Sequence, residues 1–153
     1  MKVYRISKCK YISDLTGYGA FLQGGRWNSV GKHMLYTSQS IALSMLEVLA
    51  NFPRNIATDD FCLLTLEIDE KDIEVFDEKK LPRDWDVYPH SNATQLLGDS
   101  FLEAHNSVAL KVPSGIIPAE NNILFNPKHP EFKKKVKTVS SDPIAIDKRF
   151  AGT

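Results

Sequence analysis

Short stretches in which apolar and more polar side chains alternate recur along the chain and predict β-strands. The strongest stretch is Phe61-Cys62-Leu63-Leu64-Thr65-Leu66-Glu67-Ile68. Similar but shorter patterns occupy residues 3–6, 33–37, 107–112 and 122–127. Apolar residues at 136–139 and 144–146 predict one further strand near the C-terminus. The β-strands thus recur from one end of the chain to the other.

Helical periodicity is clearest between Ile41 and Asn51, a segment without glycine or proline. Ser38 or Thr37 is predicted to cap its N-terminus, and Pro53 to end it. The predicted buried stripe is Ile41, Ala42, Met45, Leu46 and Leu49. Glu47 falls outside that stripe, on the side that carries Leu43, Ser44 and Asn51, and is therefore expected on a helix face rather than in the core.

A second helix is predicted to start at Ser91 or Asn92 and to run to about Glu103. Before it, residues 69–90 are charged and contain two prolines, which predicts a surface excursion. Because the strands are not regularly separated by helices, a doubly wound parallel sheet is disfavoured. We expect a single compact α+β domain over residues 1–153, with a mixed or antiparallel central sheet, a core at about 3–132 and a C-terminal tail at 133–153.

Composition and charge narrow the choice of function. Lys and Arg total 19, as do Asp and Glu, so the basic excess of many nucleic-acid-binding proteins is missing. No apolar run reaches the roughly 20 residues that span a bilayer, and the N-terminus has no signal-peptide core, so a cytoplasmic protein without a membrane or direct nucleic-acid partner is expected. In that compartment Cys9 and Cys62 are expected to be free thiols. The four histidines are scattered and predict no metal site.

Arg26 is the first of three candidates for chemistry. It lies between Gly25 and Trp27, where little side-chain bulk lets a guanidinium approach a pyrophosphate or a carboxylate closely. The alternative is a surface arginine that stacks on Trp27 or pairs with a local acid.

The other two candidates are Tyr36 and Glu47. The ring of Tyr36 either stacks on an aromatic ligand group or packs in the core. The Glu47 carboxylate either binds a ribose hydroxyl and stabilises positive charge on the sugar, or belongs to a solvated helix face. Taken alone, Ser107 reads as a strand-end residue and Arg5 as a strand-edge charge.

Six segments, in this order and at this spacing, resemble the RES domain of bacterial toxins. They are Tyr4-Arg5-Ile6, Gly24-Gly25-Arg26-Trp27-Asn28, Leu35-Tyr36-Thr37-Ser38, Leu46-Glu47-Val48-Leu49, the serine-containing segment from Asn106 to Ser114, and the segment from Asn121 to Pro130 that contains Asn126-Pro127. The Arg, Glu and Ser for which the family is named match Arg26, Glu47 and Ser107, proposed as catalytic. The resemblance covers about residues 3–132.

The resemblance implies a fold similar to that of ADP-ribosyltransferase toxins and an activity that consumes NAD as substrate, with no cofactor. Family members usually pair with a helix-turn-helix antitoxin that blocks the active site, and a homodimer is also implied. The expected function is a toxin of a toxin–antitoxin system that depletes NAD by cleaving the nicotinamide–ribose bond with water or phosphate. The alternatives are a mono-ADP-ribosyltransferase acting on a protein and a non-catalytic binding or regulatory partner of an antitoxin.

The residue roles follow from the same resemblance. Arg26, helped by Arg5, would hold the NAD pyrophosphate, and Tyr36 would pack against the nicotinamide or its ribose. Glu47 would stabilise the charged sugar and Ser107 would orient the nicotinamide amide or a ribose hydroxyl. Ser38 and Asn126 would also bind NAD. The hypothesis requires the side chains at 26, 36, 47 and 107 to meet at one cleft.

Overall fold

The architecture is taken from a computed structural model that describes residues 1–52 and 59–150. Seven strands form one sheet. They are β1 (Lys2–Lys8), β2 (Leu35–Ser38), β3 (Phe61–Glu67), β4 (Ile73–Val75), β5 (Ala109–Pro113), β6 (Asn121–Phe125) and β7 (Lys137–Pro143). Each strand that the sequence pattern predicted is present, with ends shifted by at most three residues.

The described residues also form five α-helices around the sheet. They are α1 (Cys9–Ile12), α2 (Tyr18–Gln23), α3 (Ile41–Asn51), α4 (Asn92–Ala104) and α5 (Phe132–Lys135). Short 3-10 helices cover Glu70–Asp72, Glu78–Lys80 and Lys148–Phe150. The N-cap of α4 is Ser91, one of the two residues predicted to start this helix, since its side chain accepts a hydrogen bond from the backbone of Ala93. None of the described helices is long and apolar enough to cross a membrane.

The strand order across the sheet is β4-β5-β6-β2-β1-β3-β7. Only β4 and β5 pair in parallel, and every other neighbouring pair is antiparallel. The mixed sheet with few helices confirms the predicted α+β class. Strand β7 comes from the segment predicted as a tail and pairs with β3 at the sheet edge, so the sheet extends beyond residue 132.

Strand β4 is a departure from the sequence prediction, which assigned residues 69–90 to a surface excursion. Residues 73–75 pair with the start of β5 instead. The pattern does not reveal this strand because it is three residues long and lies at the sheet edge with Glu74 and Val75 exposed. A half-solvated strand of this length carries too few alternating positions to register as a pattern.

Apolar side chains cover both faces of the sheet. On one face, Leu35, Ile123 and Phe125 pack with Phe132 of α5. On the other face, residues such as Leu110 and Leu124 pack against α4. Neighbouring residues of β6 therefore belong to different clusters, as strand alternation requires.

The orientation of α3 also departs from the prediction. Its buried residues are Leu43, Ser44 and Val48, whereas Ile41 and Leu46 of the predicted stripe are 41% and 39% exposed. The helix is apolar on more than one side, so periodicity alone does not choose the buried face. The side that carries Glu47 is the one turned toward the sheet.

The ends of α3 are set locally. The N-cap is Ser40 rather than Ser38 or Thr37, because the Ser40 side chain accepts a hydrogen bond from the backbone N–H of Leu43 at 3.1 Å. Ser38 belongs to β2 instead. The helix ends at Asn51, and Pro53, predicted to end it, lies outside the described residues.

Cys9 and Cys62 form a disulfide, contrary to the expected free thiols. They are 53 residues apart in sequence, but the antiparallel pairing of β1 with β3 places Lys8 opposite Phe61 and Ser7 opposite Cys62. Cys9 follows directly, so the two Cα atoms are only 4.8 Å apart. The strand register thus creates a proximity that the sequence does not display.

Candidate functional site

An open cleft of about 230 Å³ lies where β1, β2 and β6 meet α3. Its polar lining includes Tyr36 and Ser38 from β2, Glu47 from α3 and Asn122 from β6. The strand pairing explains this grouping, because Ser38 lies opposite Asn122 in the β2–β6 ladder.

Glu47 is the acidic group of the cleft. Its Oε1 atom accepts two hydrogen bonds, from Asn122 Nδ2 at 2.6 Å and from Ser114 Oγ at 3.0 Å. Within the described part of the chain, Oε2 has no hydrogen-bond partner. One carboxylate oxygen is therefore held in place while the other remains available to a ligand.

Further hydrogen bonds fix the orientation of these two donors. Ser38 Oγ donates to Asn122 Oδ1 at 2.8 Å, which turns the Asn122 amide nitrogen toward Glu47. Ser114 Oγ accepts hydrogen bonds from the backbone of Ile116 and Ile117, at 3.0 and 3.2 Å, and so points its own hydrogen at the carboxylate. The Ser114 side chain is fully buried. The result is a continuous chain of hydrogen bonds around Oε1.

Tyr36 lines the cleft with its ring, while its hydroxyl is already used. Its Oη atom donates to Asn28 Oδ1 at 2.7 Å and accepts from the backbone N–H of Trp27 at 3.0 Å. Burial raises the pKa of the Tyr36 phenol well above its usual range, so the ring is neutral at ordinary pH. Tyr36 thus offers the cleft an uncharged aromatic surface, not a proton donor.

Arg26 is not among the residues that line the cleft, but its guanidinium lies against the turn that follows Ser114. An alanine Cβ placed at Gly115 would come within 2.7 Å of Arg26 Nε, so the guanidinium packs directly on the residue that follows Ser114. Arg26 Nη1 donates to the backbone carbonyls of Trp85 and Val87, at 2.6 and 3.1 Å. The guanidinium is therefore restrained on two sides. It lies next to Ser114, one of the two hydrogen-bond donors to Glu47.

Helix α4 supports the loop that carries Arg26. Gln95 Nε2 donates to the carbonyl of Gly25 at 2.9 Å, and Asp99 accepts hydrogen bonds from the backbone N–H and the hydroxyl of Ser29. Gly98 lets the helix approach, because a Cβ there would meet the Trp27 carbonyl oxygen at 1.7 Å. The loop is thus built on a helix, which gives Arg26 a fixed base.

Arg5 has a partly structural role. It lines the cleft, but its Nη1 atom donates to the backbone carbonyls of residues 11, 12 and 14, the shortest at 2.9 Å to Asp14. Burial lowers the pKa of the Arg5 guanidinium, and nearby Asp14 partly offsets this, but arginine stays protonated. Arg5 therefore anchors the segment that follows β1.

The structure does not bring Ser107 to Glu47. In the β5–β6 ladder, Pro113 lies opposite Asn121 while Ala109 lies opposite Phe125, so the two ends of β5 face different ends of the sheet. Ser114 follows the end near Glu47, and Ser107 precedes the other end, roughly 20 Å away at about 3.3 Å per residue. Of the four side chains predicted to meet at one cleft, only those of Tyr36 and Glu47 line it. Arg26 lies outside the lining, against Gly115 of the neighbouring turn, and Ser107 lies at the far end of β5.

Asn126 also lies away from the cleft, contrary to its predicted place in the NAD-binding set. It is buried, its Nδ2 atom donates to the carbonyl of Leu102 at 3.0 Å, and its Oδ1 atom accepts from the backbone of Lys128 at 3.1 Å. These bonds join β6 to the end of α4. The arrangement is that of an asparagine that stabilises the fold.

Sequence reasoning missed Ser114 and Asn122. The signal for Ser114 was the Pro113-Ser114-Gly115 turn, since a serine that starts a turn binds backbone N–H groups two and three residues on and is fixed in orientation. Asn122 gave no comparable signal, because its contact with Glu47 depends on strand register. Within residues 1–52 and 59–150, no three His, Cys, Asp or Glu side chains are grouped so that they could hold a metal ion.

Comparison with known proteins identifies the family of the chain. The model of the RES domain matches residues 2–147. The chain belongs to the RES-domain family. A protein named Toxin Res from Photorhabdus laumondii is 38% identical over 151 residues, covering 98% of this chain and 97% of the relative. As a member of this family, the chain is a toxin.

A second relative and a solved structure extend the comparison. A protein named Prs ADP-ribosylating toxin, from a Sphingobium species, is 34% identical over 142 residues, covering 88% of each chain. The crystal structure of the MbcT–MbcA toxin–antitoxin complex of M. tuberculosis aligns with a TM-score of 0.72 at 17% identity, covering 94% of this chain and 84% of the other. At this identity the likeness concerns the fold, which agrees with the α+β architecture.

Proposed function

We propose that this RES-domain chain is the toxin of a toxin–antitoxin pair and that it depletes NAD by cleaving the bond between nicotinamide and ribose. One observation carries the proposal: in the cleft that Tyr36 lines, Asn122 and Ser114 hold one carboxylate oxygen of Glu47, and no other described residue bonds to its second oxygen. A fixed anion next to an aromatic wall suits a sugar that becomes cationic as its aromatic base departs.

The cleft accepts the nicotinamide riboside end of NAD in this proposal. The nicotinamide or its ribose packs against the Tyr36 ring, and the free oxygen of Glu47 accepts a hydrogen bond from a ribose hydroxyl. The pyrophosphate then extends out of the cleft past the turn at Ser114 and Gly115 and binds the guanidinium of Arg26 through charge-assisted hydrogen bonds. The positions of the side chains support this division, because Tyr36 and Glu47 line the cleft and Arg26 does not.

The reaction breaks the bond between the ribose C1′ atom and the nicotinamide nitrogen. The electron pair of that bond leaves with nicotinamide, which is cationic in NAD and neutral once released, so the leaving group needs no proton. Positive charge develops on the sugar, and the Glu47 carboxylate stabilises it more strongly than it stabilises the intact substrate. Water or phosphate then bonds to C1′ and loses a proton to solvent.

The partner proposals rest on the relatives. A helix-turn-helix antitoxin that covers the site is expected from the family resemblance, and the solved MbcT–MbcA pair supports an antitoxin partner. A homodimer and a cytoplasmic location remain part of the same proposal. The proposal uses five site residues, which are Arg26, Tyr36, Glu47, Ser114 and Asn122.

The test is product analysis with purified protein and NAD, with and without phosphate. Free nicotinamide with ADP-ribose supports hydrolysis, and free nicotinamide with a phosphorylated ADP-ribose supports phosphorolysis. A folded wild-type protein that leaves NAD intact under both conditions would refute the proposal and favour a non-catalytic binding role.

A second candidate function is transfer of ADP-ribose to a protein, which the relative named Prs ADP-ribosylating toxin favours. The same cleft would generate the same cationic sugar, and only the acceptor would differ. Incubation of the protein with labelled NAD and a cell lysate separates the two, since transfer leaves the label on a protein band and hydrolysis leaves it in small molecules.

A further inference from the structure

The guanidinium of Arg26 lies against a backbone position that has no side chain. An ideal Cβ at Gly115 would be 2.7 Å from Arg26 Nε, 3.0 Å from Cζ and 3.1 Å from Nη2. Carbon atoms at optimal contact are about 3.5–4.0 Å apart. An alanine at position 115 would thus force the guanidinium to move by about 1 Å.

The same position places no demand on backbone conformation. Gly115 does not have a positive φ angle, unlike Gly17, Gly24 and Gly31. An alanine there is therefore free of backbone strain, and the atoms that it would displace belong to the end of a flexible side chain. We expect the protein to fold while the guanidinium shifts.

The opposite side of the guanidinium is fixed by a different part of the chain. Arg26 Nη1 donates to the carbonyls of Trp85 and Val87, which lie on the segment that leads into α4. These carbonyls hold one nitrogen, while Gly115 leaves room for the remainder of the group. Moving the guanidinium away from position 115 must change its geometry with both carbonyls.

We propose that Gly115 is a positioning residue for Arg26: together with the carbonyls of Trp85 and Val87, it sets where the guanidinium meets the phosphates of the substrate. This inference rests on the proposed NAD-cleaving function. Gly115 acts through Arg26 and does not itself touch the reacting atoms. The position must stay without a side chain because the guanidinium occupies the space that a Cβ would fill.

The first experiment measures NAD cleavage by Gly115→Ala. We expect the Michaelis constant for NAD to rise about tenfold or more while kcat changes by less than about threefold, because a displacement of about 1 Å mainly weakens ground-state binding of the phosphates. The matched control is Gly19→Ala, because a Cβ at Gly19 meets nothing within 4 Å and Gly19 has no positive φ angle. The control should behave as the wild type does.

A double-mutant cycle separates positioning from a general structural effect. In an Arg26→Ala background, Gly115→Ala should raise the Michaelis constant by less than about twofold, since there is no longer a guanidinium to displace. An equal rise in both backgrounds, or no rise in the wild-type background, would overturn the positioning role.

A readout that does not depend on NAD keeps the two proposals distinguishable. Amide hydrogen exchange over residues 81–90 should increase in both Arg26→Ala and Gly115→Ala, because each loosens the bonds to Trp85 and Val87, and should not change in Gly19→Ala. A wild-type protein inert toward NAD would refute the proposed function. Unchanged exchange in Gly115→Ala would refute the positioning role.

Discussion

The two ends of the β5–β6 pair carry similar residues and use them differently. At one end, Asn122 and Ser114 direct their polar hydrogens at the carboxylate of Glu47. At the other end, Asn126 is buried and is bonded to the backbone of Leu102 and Lys128 and to the ring of His105. The first end therefore holds a carboxylate whose second oxygen bonds to no described residue, whereas the polar groups of Asn126 at the second end bond within the protein.

This contrast teaches that residue type does not identify a site. An asparagine whose partners are backbone groups stabilises the fold, because its loss leaves buried donors and acceptors unpaired. An asparagine that bonds to other side chains at a cleft can be less important for stability and still orient a group that takes part in the reaction. The cleft end comprises Ser38, Glu47, Ser114 and Asn122, and the closed end comprises Ser107 and Asn126.

The largest effect is expected at the carboxylate of the cleft end. Glu47→Gln keeps the size of the side chain and removes its charge, so NAD cleavage should fall at least about a hundredfold, the size of single electrostatic contributions in other active sites. Steady-state turnover measures this. The matched control is Glu74→Gln on the exposed edge strand, which should retain wild-type turnover. Unchanged turnover in Glu47→Gln would remove Glu47 from the mechanism.

The two serines allow a direct comparison of the ends. Ser114→Ala removes a hydrogen bond to a charged group, typically about 1.5–3 kcal/mol, and should lower kcat/KM by about tenfold to a hundredfold. Ser107→Ala, made at the other end of the same strand, should stay within about twofold of the wild type. The comparison breaks down if Ser107→Ala proves the more damaging of the two.

The two asparagines should separate activity from stability. Asn126→Ala leaves the buried carbonyl of Leu102 without its donor and should lower the free energy of unfolding by about 1–3 kcal/mol. Asn122→Ala should lower NAD cleavage about tenfold through the orientation of Glu47, with a smaller loss of stability. Urea unfolding and turnover, measured on both variants, provide the test. A reversed pattern would contradict the assignment of the two ends.

Tyr36 gives the smallest expected effect and sharpens the comparison within the cleft, because its hydroxyl is as fully bonded as a group at the closed end. Burial raises the pKa of the folded-state phenol above its usual 10.0, so the folded protein keeps this proton at a pH where the unfolded chain loses it. This contribution to stability is complete below about pH 10 and declines as the pH rises further.

The measurement is the free energy of unfolding between about pH 9 and pH 11 for the wild type and Tyr36→Phe. Above about pH 10 the wild type should lose stability faster than the variant, by up to about 1.4 kcal/mol per pH unit. Parallel curves would mean that the phenol is not buried as described.

The sequence by itself determined the elements that depend on local pattern. Alternation predicted β1, β3 and β6, and the serine before α4 predicted its N-cap, because these signals involve residues within a few positions of each other. The ordered segments around Arg26, Tyr36 and Glu47 predicted the family, which the match over residues 2–147 confirms.

Only the tertiary structure decided which groups meet. The buried face of α3, the pairing of Cys9 with Cys62 and the choice of Ser114 over Ser107 all depend on strand register between distant segments. A period-two or period-3.6 pattern states which residues share a face, but not which partner covers that face. Whether a polar side chain serves the fold or a site follows from that partner, and therefore from the packing of the whole sheet.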